Sequence, residues 1–246
     1  MLLVKTLKIL KLTFSMKNTR LSKQLMFCYF LMFILLGCGG KTSEKNVQEE
    51  SNAEAETTIT SKNPEKKILF FGDSLTAGYG LEMGQAYPTL IQQRIDSLDL
   101  GYQIINAGLS GETTASGKNR LDWVLEDGIS IVIIELGAND GLRGVPLNET
   151  ESNLQAMVDM VRKKLPEAQI ILAGMKIPPN MGPEYTSRFE NIFPELAEKE
   201  HVHLIPFLLE NVAGIPDLNQ SDGIHPTVEG QKIVAENVWE VLRPML

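Results

Sequence analysis

Three observations predict an α/β architecture on a five-stranded parallel sheet for this chain. Short β-rich apolar runs alternate with segments whose apolar residues recur at helical spacing. The third run, Ile129–Leu136, is almost wholly apolar, as expected of a central strand covered on both faces. Small, polar, turn-forming residues cluster after the runs, on the side where open parallel sheets bind ligands.

The elements follow in order. Lys67–Phe71 reads as the first strand. Tyr87, Leu90, Ile91, Ile95 and Leu98 keep helical spacing, and Tyr102–Asn106 is the second strand. A helix over Thr113–Leu125 leads to the third. Leu154, Met157, Val158, Val161 and Leu165 mark an amphipathic helix that Pro166 ends. Gln169–Gly174 is the fourth strand. The Pro/Gly-rich loop Lys176–Pro183 precedes a helix near Glu184–Glu200, Val202–Pro206 is the fifth strand, and the last helix runs from Thr227 to Leu242. With right-handed crossovers this βα alternation predicts a flavodoxin-like three-layer α/β/α sandwich.

Candidate chemical residues all follow strands. Ser74 lies in Gly72-Asp73-Ser74-Leu75-Thr76 after the first, and Gly111 lies in the loop after the second. Asn139 lies in Gly137-Ala138-Asn139-Asp140-Gly141 after the third, and Asp222 and His225 lie in Asp222-Gly223-Ile224-His225-Pro226 after the fifth. A serine hydroxyl needs a base to take its proton, and neutral imidazole serves near pH 7. Of the three histidines, His201 and His203 fall at the start of the fifth strand, the opposite rim, and are expected to be structural or solvated. His225 is the base candidate, with Asp222 to orient its ring. The Ser74 and Gly111 N–H groups and the Asn139 amide are candidate oxyanion donors. Asp73, Glu112 and Asp140 are expected to hold loops. Taken singly, each segment is an ordinary turn or helix cap; their order on one rim points to acyl transfer. A G-x-S-x-G elbow is excluded by Thr76, and a phosphate-binding loop by the missing Lys-Ser/Thr ending.

The ends and the charge add context. Residues 1–37 carry six basic and no acidic residues, and the apolar run Leu25–Leu36 ends in Leu35-Leu36-Gly37-Cys38, the layout of an export signal. Gly37-Cys38 resembles a bacterial lipobox in which Cys38 is lipidated; an uncleaved N-terminal anchor is the alternative. Met16 offers a second start that gives a signal of ordinary length. Gly39 rather than Asp follows Cys38, which resembles lipoproteins sent to the outer membrane. The expected organisation is a signal peptide at 1–37, a lipidated, disordered tether at 38–65 and one catalytic domain at 66–246. Cys28 and Cys38 are the only cysteines, so the domain has neither disulfide nor thiol chemistry. From Cys38 onward 17 basic residues face 31 acidic ones, a net charge of −14. Such a surface repels nucleic acid and is not captured electrostatically by anionic lipid, so any membrane tie is expected from acyl groups on Cys38.

The four segments resemble the blocks of the GDSL, or SGNH, hydrolase family. Gly72-Asp73-Ser74-Leu75 matches the first block with Ser74 as nucleophile, Gly111 and Asn139 match the oxyanion positions of the second and third, and Asp222 and His225 match the last. Phe70–Leu81, Arg120-Leu121-Asp122-Trp123, Glu135–Gly144, Leu172–Tyr185 and Asp217–Pro226 are similar to the acyl-CoA thioesterase I, arylesterase and lysophospholipase subgroup. The resemblance covers nearly all of residues 66–246. It implies the SGNH hydrolase fold, no metal or cofactor, and hydrolysis of aryl esters, acyl thioesters or lysophospholipids. A carbohydrate O-deacetylase and a non-catalytic carbohydrate- or lipid-binding module are the competing readings; the intact Ser74, Asp222 and His225 argue against the second. The loop Met175–Tyr185 is either an apolar wall or lid of the site or plain surface packing.

Overall fold

A computed structural model of the protein describes residues 66–246. The segments expected to be a signal peptide and a tether, with Cys38 between them, lie outside the described residues. Five parallel strands form one sheet: β1 (Lys66–Gly72), β2 (Tyr102–Gly108), β3 (Ile129–Glu135), β4 (Gln169–Ala173) and β5 (His203–Ile205), in the order β2-β1-β3-β4-β5. The helices are α1 (Ser74–Ala77), α2 (Tyr87–Ser97), α3 (Thr114–Val124), α4 (Ala138–Leu142), α5 (Leu147–Lys164), α6 (Pro183–Glu200) and α7 (Val228–Leu242). This is the doubly wound order of the flavodoxin-like sandwich. Helix α2 packs on α7, while α3 packs on α5 and α5 on α6, so both faces of the sheet are covered.

The strand sequences explain the burial. β1 and β3 sit in the middle of the sheet, and Ile68–Phe71 and Ile131–Ile134 are buried on both faces. Phe70 packs edge-on against Tyr87 at the head of α2. Helix α5 buries Leu154, Met157, Val158 and Val161, the stripe expected from their spacing.

The differences from expectation are local. Helix α5 begins two turns before Leu154, directly after Pro146, and its first turn buries Leu147 and Thr150. Polar Asn148, Glu149 and Glu151 mask that turn in the sequence. The fifth strand is only three residues long, because it pairs with β4 alone and the chain leaves the sheet after Ile205. Two one-turn helices, α1 and α4, occupy the stretches after β1 and β3 that read as turns.

Both of these short helices carry site candidates, and β2 holds α1 in place. Asn106 Nδ2 donates to the Thr76 carbonyl at 3.0 Å. Gly108 passes so close that a Cβ there would lie 2.3 Å from Ala77 N. No rotamer relieves a clash with backbone. Gly108→Ala is therefore expected to destabilise the domain by about 1–3 kcal/mol and to lower activity by shifting α1. Urea unfolding should show a lower midpoint at unchanged slope; an unchanged midpoint would contradict the close approach.

Candidate active site

The turn after β1 is built around Asp73. Its Oδ1 accepts from the Leu75 N–H at 3.0 Å and so caps α1, and Gly78 ends that helix in the left-handed region. The single turn presents Ser74 at the rim. At the far end of the chain, Asn219 bridges to Pro226, and Gln220 N donates to the His225 carbonyl at 2.7 Å. These bonds pinch residues 220–226 into a loop that returns His225 to α1.

The two meet. Ser74 Oγ lies 2.9 Å from His225 Nε2, and His225 Nδ1 lies 2.7 Å from Asp222 Oδ2. Asp222 Oδ1 accepts from the N–H groups of Ile224 and His225 at 2.9 and 3.0 Å. Those backbone bonds, His225 first and Ile224 second, hold the Asp222 carboxyl down at about 2. It is therefore a carboxylate wherever imidazole is neutral, and it selects the tautomer with the proton on Nδ1. Nε2 is then free to accept from the serine. Tyr79, half-exposed, lies against the His225 ring with centroids 4.6 Å apart and ring planes tilted by 39°. His201 caps α6 in the left-handed region and His203 opens β5, both at the other end of the sheet.

Candidate donors line the same space. Ser74 N–H opens α1, and Gly111 takes φ +80°, a conformation that suits glycine. Neither N–H donates to an acceptor among the described residues. Asn139 stands beside them, held on three sides: Nδ2 donates to Asp73 Oδ2 at 2.9 Å and to the Glu112 carbonyl at 3.1 Å, and Oδ1 accepts from Arg143 at 3.4 Å. Both amide hydrogens are thus engaged, and a substrate oxygen would share one of them. Burial, the largest influence, pushes the Asp73 carboxyl up to about 6 against the pull of the Leu75 and Asn139 bonds.

Asp73, Glu112 and Asp140 do hold loops. Glu112 pairs with Arg120 in a two-pronged contact at 2.8 and 2.5 Å, and Arg120 also reaches the Ala107 carbonyl. Asp140 accepts from the Thr114 N–H and hydroxyl at 2.9 and 2.5 Å. Sequence reasoning passed over Glu135, Thr76, Tyr87 and Tyr79. Glu135 is a charged-type residue closing an apolar strand, and that pattern break is the signal that marks it.

A cavity of about 610 Å³ opens from Ser74 and His225. Its wall is mostly apolar, with Met175, Ile177, Pro178, Pro179, Phe207 and Leu209 lining it, and Lys176 and Glu190 add two charged-type side chains. The first part of the Met175–Tyr185 loop is therefore a wall of the site. Met181 instead packs against the core.

Residues 70–233 match the GDSL-like lipase/acylhydrolase family. Esterase TesA of Pseudomonas aeruginosa is 38% identical over 189 residues, covering 76% of this chain and 93% of that protein. Thioesterase 1/protease 1/lysophospholipase L1 of Escherichia coli is 36% identical over 180 residues, covering 73% and 84%. The crystal structure of the psychrotrophic esterase EstA from Pseudoalteromonas sp., inhibited by monoethylphosphonate, superposes with a TM-score of 0.69 at 36% identity over 73% of this chain and 98% of that one. A family match over most of the chain, relatives matched over nearly their whole length and a shared fold agree: the protein belongs to the GDSL-like lipase/acylhydrolase family.

Proposed function

We propose that this ester hydrolase forms an acyl-enzyme on Ser74, with His225 as base and Asp222 as its anchor. Its substrates are esters of apolar acyl or aryl groups, among them aryl esters, acyl thioesters and lysophospholipids. One observation carries the reading: the 2.9 Å contact between Ser74 Oγ and His225 Nε2 opens directly into the apolar cavity. Ser74 Oγ attacks the ester carbonyl carbon while its proton passes to Nε2. The carbonyl electrons move onto oxygen, which the N–H groups of Ser74 and Gly111 and the Asn139 amide receive. As the tetrahedral carbon collapses, the bond to the alcohol or thiol breaks and Nε2 returns the proton to that leaving group. Water repeats the sequence on the acyl-enzyme, releasing the carboxylic acid and restoring Ser74.

The size of the cavity favours long acyl groups, since an acetyl group would fill a small part of it. That weighs against a carbohydrate O-deacetylase. The names of the relatives, an esterase and a thioesterase and lysophospholipase, support the same substrate class. Inhibition of EstA by a phosphonate supports acyl-transfer chemistry, because tetrahedral phosphorus resembles the acyl-transfer intermediate. The basic and apolar start and Gly37-Cys38 further support an exported protein tied to a membrane through lipidated Cys38.

Ser74→Ala is expected to abolish hydrolysis of p-nitrophenyl butyrate and octanoate while leaving the circular dichroism spectrum unchanged; retention of more than a few per cent of activity would refute the nucleophile. A panel of p-nitrophenyl esters should show kcat/KM rising from acetate to longer chains, and an optimum at acetate, with activity on acetylated sugars, would favour the deacetylase. Asn139→Ala should lower kcat by roughly 10²–10³ with KM little changed; an equal fall from His203→Ala would mean the base is misassigned. Cys38→Ser should move the full-length protein from the membrane to the soluble fraction, and unchanged fractionation would contradict lipidation.

A further inference from the structure

We infer that Glu135 is a positioning residue of the reaction: as a neutral carboxylic acid behind the nucleophile turn, it grips the residues on both sides of Ser74 and so sets the serine and its N–H. The inference rests on Ser74 being the nucleophile. Glu135 is the last residue of β3 and is fully buried. Its Oε2 accepts from the Asp73 N–H at 3.1 Å and from the Thr76 hydroxyl at 2.8 Å. Those residues flank Ser74 at the first turn of α1. The Thr76 hydroxyl is itself 2.7 Å from the Tyr87 hydroxyl, and Tyr87 N–H donates to Gln231 Oε1 at 2.8 Å. A polar chain thus runs from α7 through α2 to the turn that carries the nucleophile, with Glu135 as its last link.

The space for this link is made by Gly72. A Cβ there would lie 2.2 Å from Thr76 Oγ1 and 2.5 Å from Glu135 Oε2. No side chain fits between the strand and the carboxyl, so the pair of contacts depends on glycine at that step.

The protonation state follows from the surroundings. Glu135 Oε1 is buried and has no hydrogen-bond partner among the described residues. A carboxylate with one oxygen unpaired in apolar surroundings carries a heavy desolvation cost, which a carboxylic acid avoids. Asp73 and Tyr87 are the titratable groups that face it, from the turn after β1 and from α2, and His225 lies beyond Asp73. Among the described residues no cation faces Glu135, and the Asp73 carboxylate repels a second negative charge. Burial first and Asp73 second push the Glu135 carboxyl well above the ordinary range. Ser74 therefore stands on a neutral support, and the negative charge nearest the reacting atoms is left to Asp73 and Asp222.

Two substitutions test this. Glu135→Gln keeps an acceptor oxygen and a neutral group. It should retain kcat within about threefold and leave the acid limb of the pH–rate profile where it is. Glu135→Leu keeps the bulk and removes the acceptor. It should lower kcat by about 10–100-fold with KM within about twofold, in a protein that still folds by near-ultraviolet circular dichroism. Wild-type kcat in Glu135→Leu would overturn the positioning role. An acid limb moved to lower pH in Glu135→Gln would overturn the neutral acid, because loss of a nearby negative charge makes imidazolium less stable. If Glu135→Leu does not fold, the Glu135→Gln profile still decides. Ser74→Ala assayed in parallel separates the two readings: residual activity there removes the nucleophile assignment, whatever the Glu135 variants do.

Discussion

A single hydrogen bond, 2.9 Å long, joins residues 151 positions apart: Ser74 at the start of the domain and His225 near its close. A parallel sheet delivers both to one place without a long excursion of the chain. Every strand in such a sheet ends on the same rim, so the loops after β1, β2, β3 and β5 converge whatever their distance in sequence. The rest of the site depends on that convergence. Gly111 and Asn139 reach Ser74 because β2 and β3 flank β1, and the strand order β2-β1-β3 sets their spacing. The last loop arrives from further away, and the Asn219–Pro226 bridge and the Gln220 bonds hold it there.

Charge is distributed with the same economy. Asp222 is stabilised as an anion by two backbone N–H groups rather than by a cation, so its charge remains available to the His225 ring. Asp73 and Glu135 lie behind the serine in a dry region, where two carboxylates cannot both ionise cheaply. Arg120 and the Glu112 carboxylate neutralise one another beneath the second loop, while the Glu112 backbone carbonyl accepts from Asn139. The ring of polar residues meets a cavity whose wall is mostly apolar, which suits a substrate that is an ester joined to a hydrocarbon chain.

Much of this was legible in the sequence, because the apolar runs of β1 and β3 and the helical spacing of α2 and α5 are strong and the rim rule needs only strand ends. Ser74, Gly111, Asn139, Asp222 and His225 all fall on one rim by that rule, and the structure brings them together there. Other features were hidden for physical reasons. The first turn of α5 is polar outward, so it carries no apolar signal. Helices α1 and α4 are single turns, the first capped by the Asp73 side chain and the second without a side-chain cap, below the length at which spacing can speak. Glu135 has no local partner: both of its contacts are made through the sheet, with residues about 60 positions away. Tyr79 over His225 likewise joins distant parts of the chain.

The most direct measurement is covalent capture. Intact-mass and peptide mass spectrometry after treatment with a p-nitrophenyl alkylphosphonate should find one phosphonyl group per chain, on Ser74. His225→Ala should cut the labelling rate by orders of magnitude without moving the site. A label on another residue, or labelling as fast without the imidazole as with it, would contradict the serine–histidine contact as the seat of the chemistry.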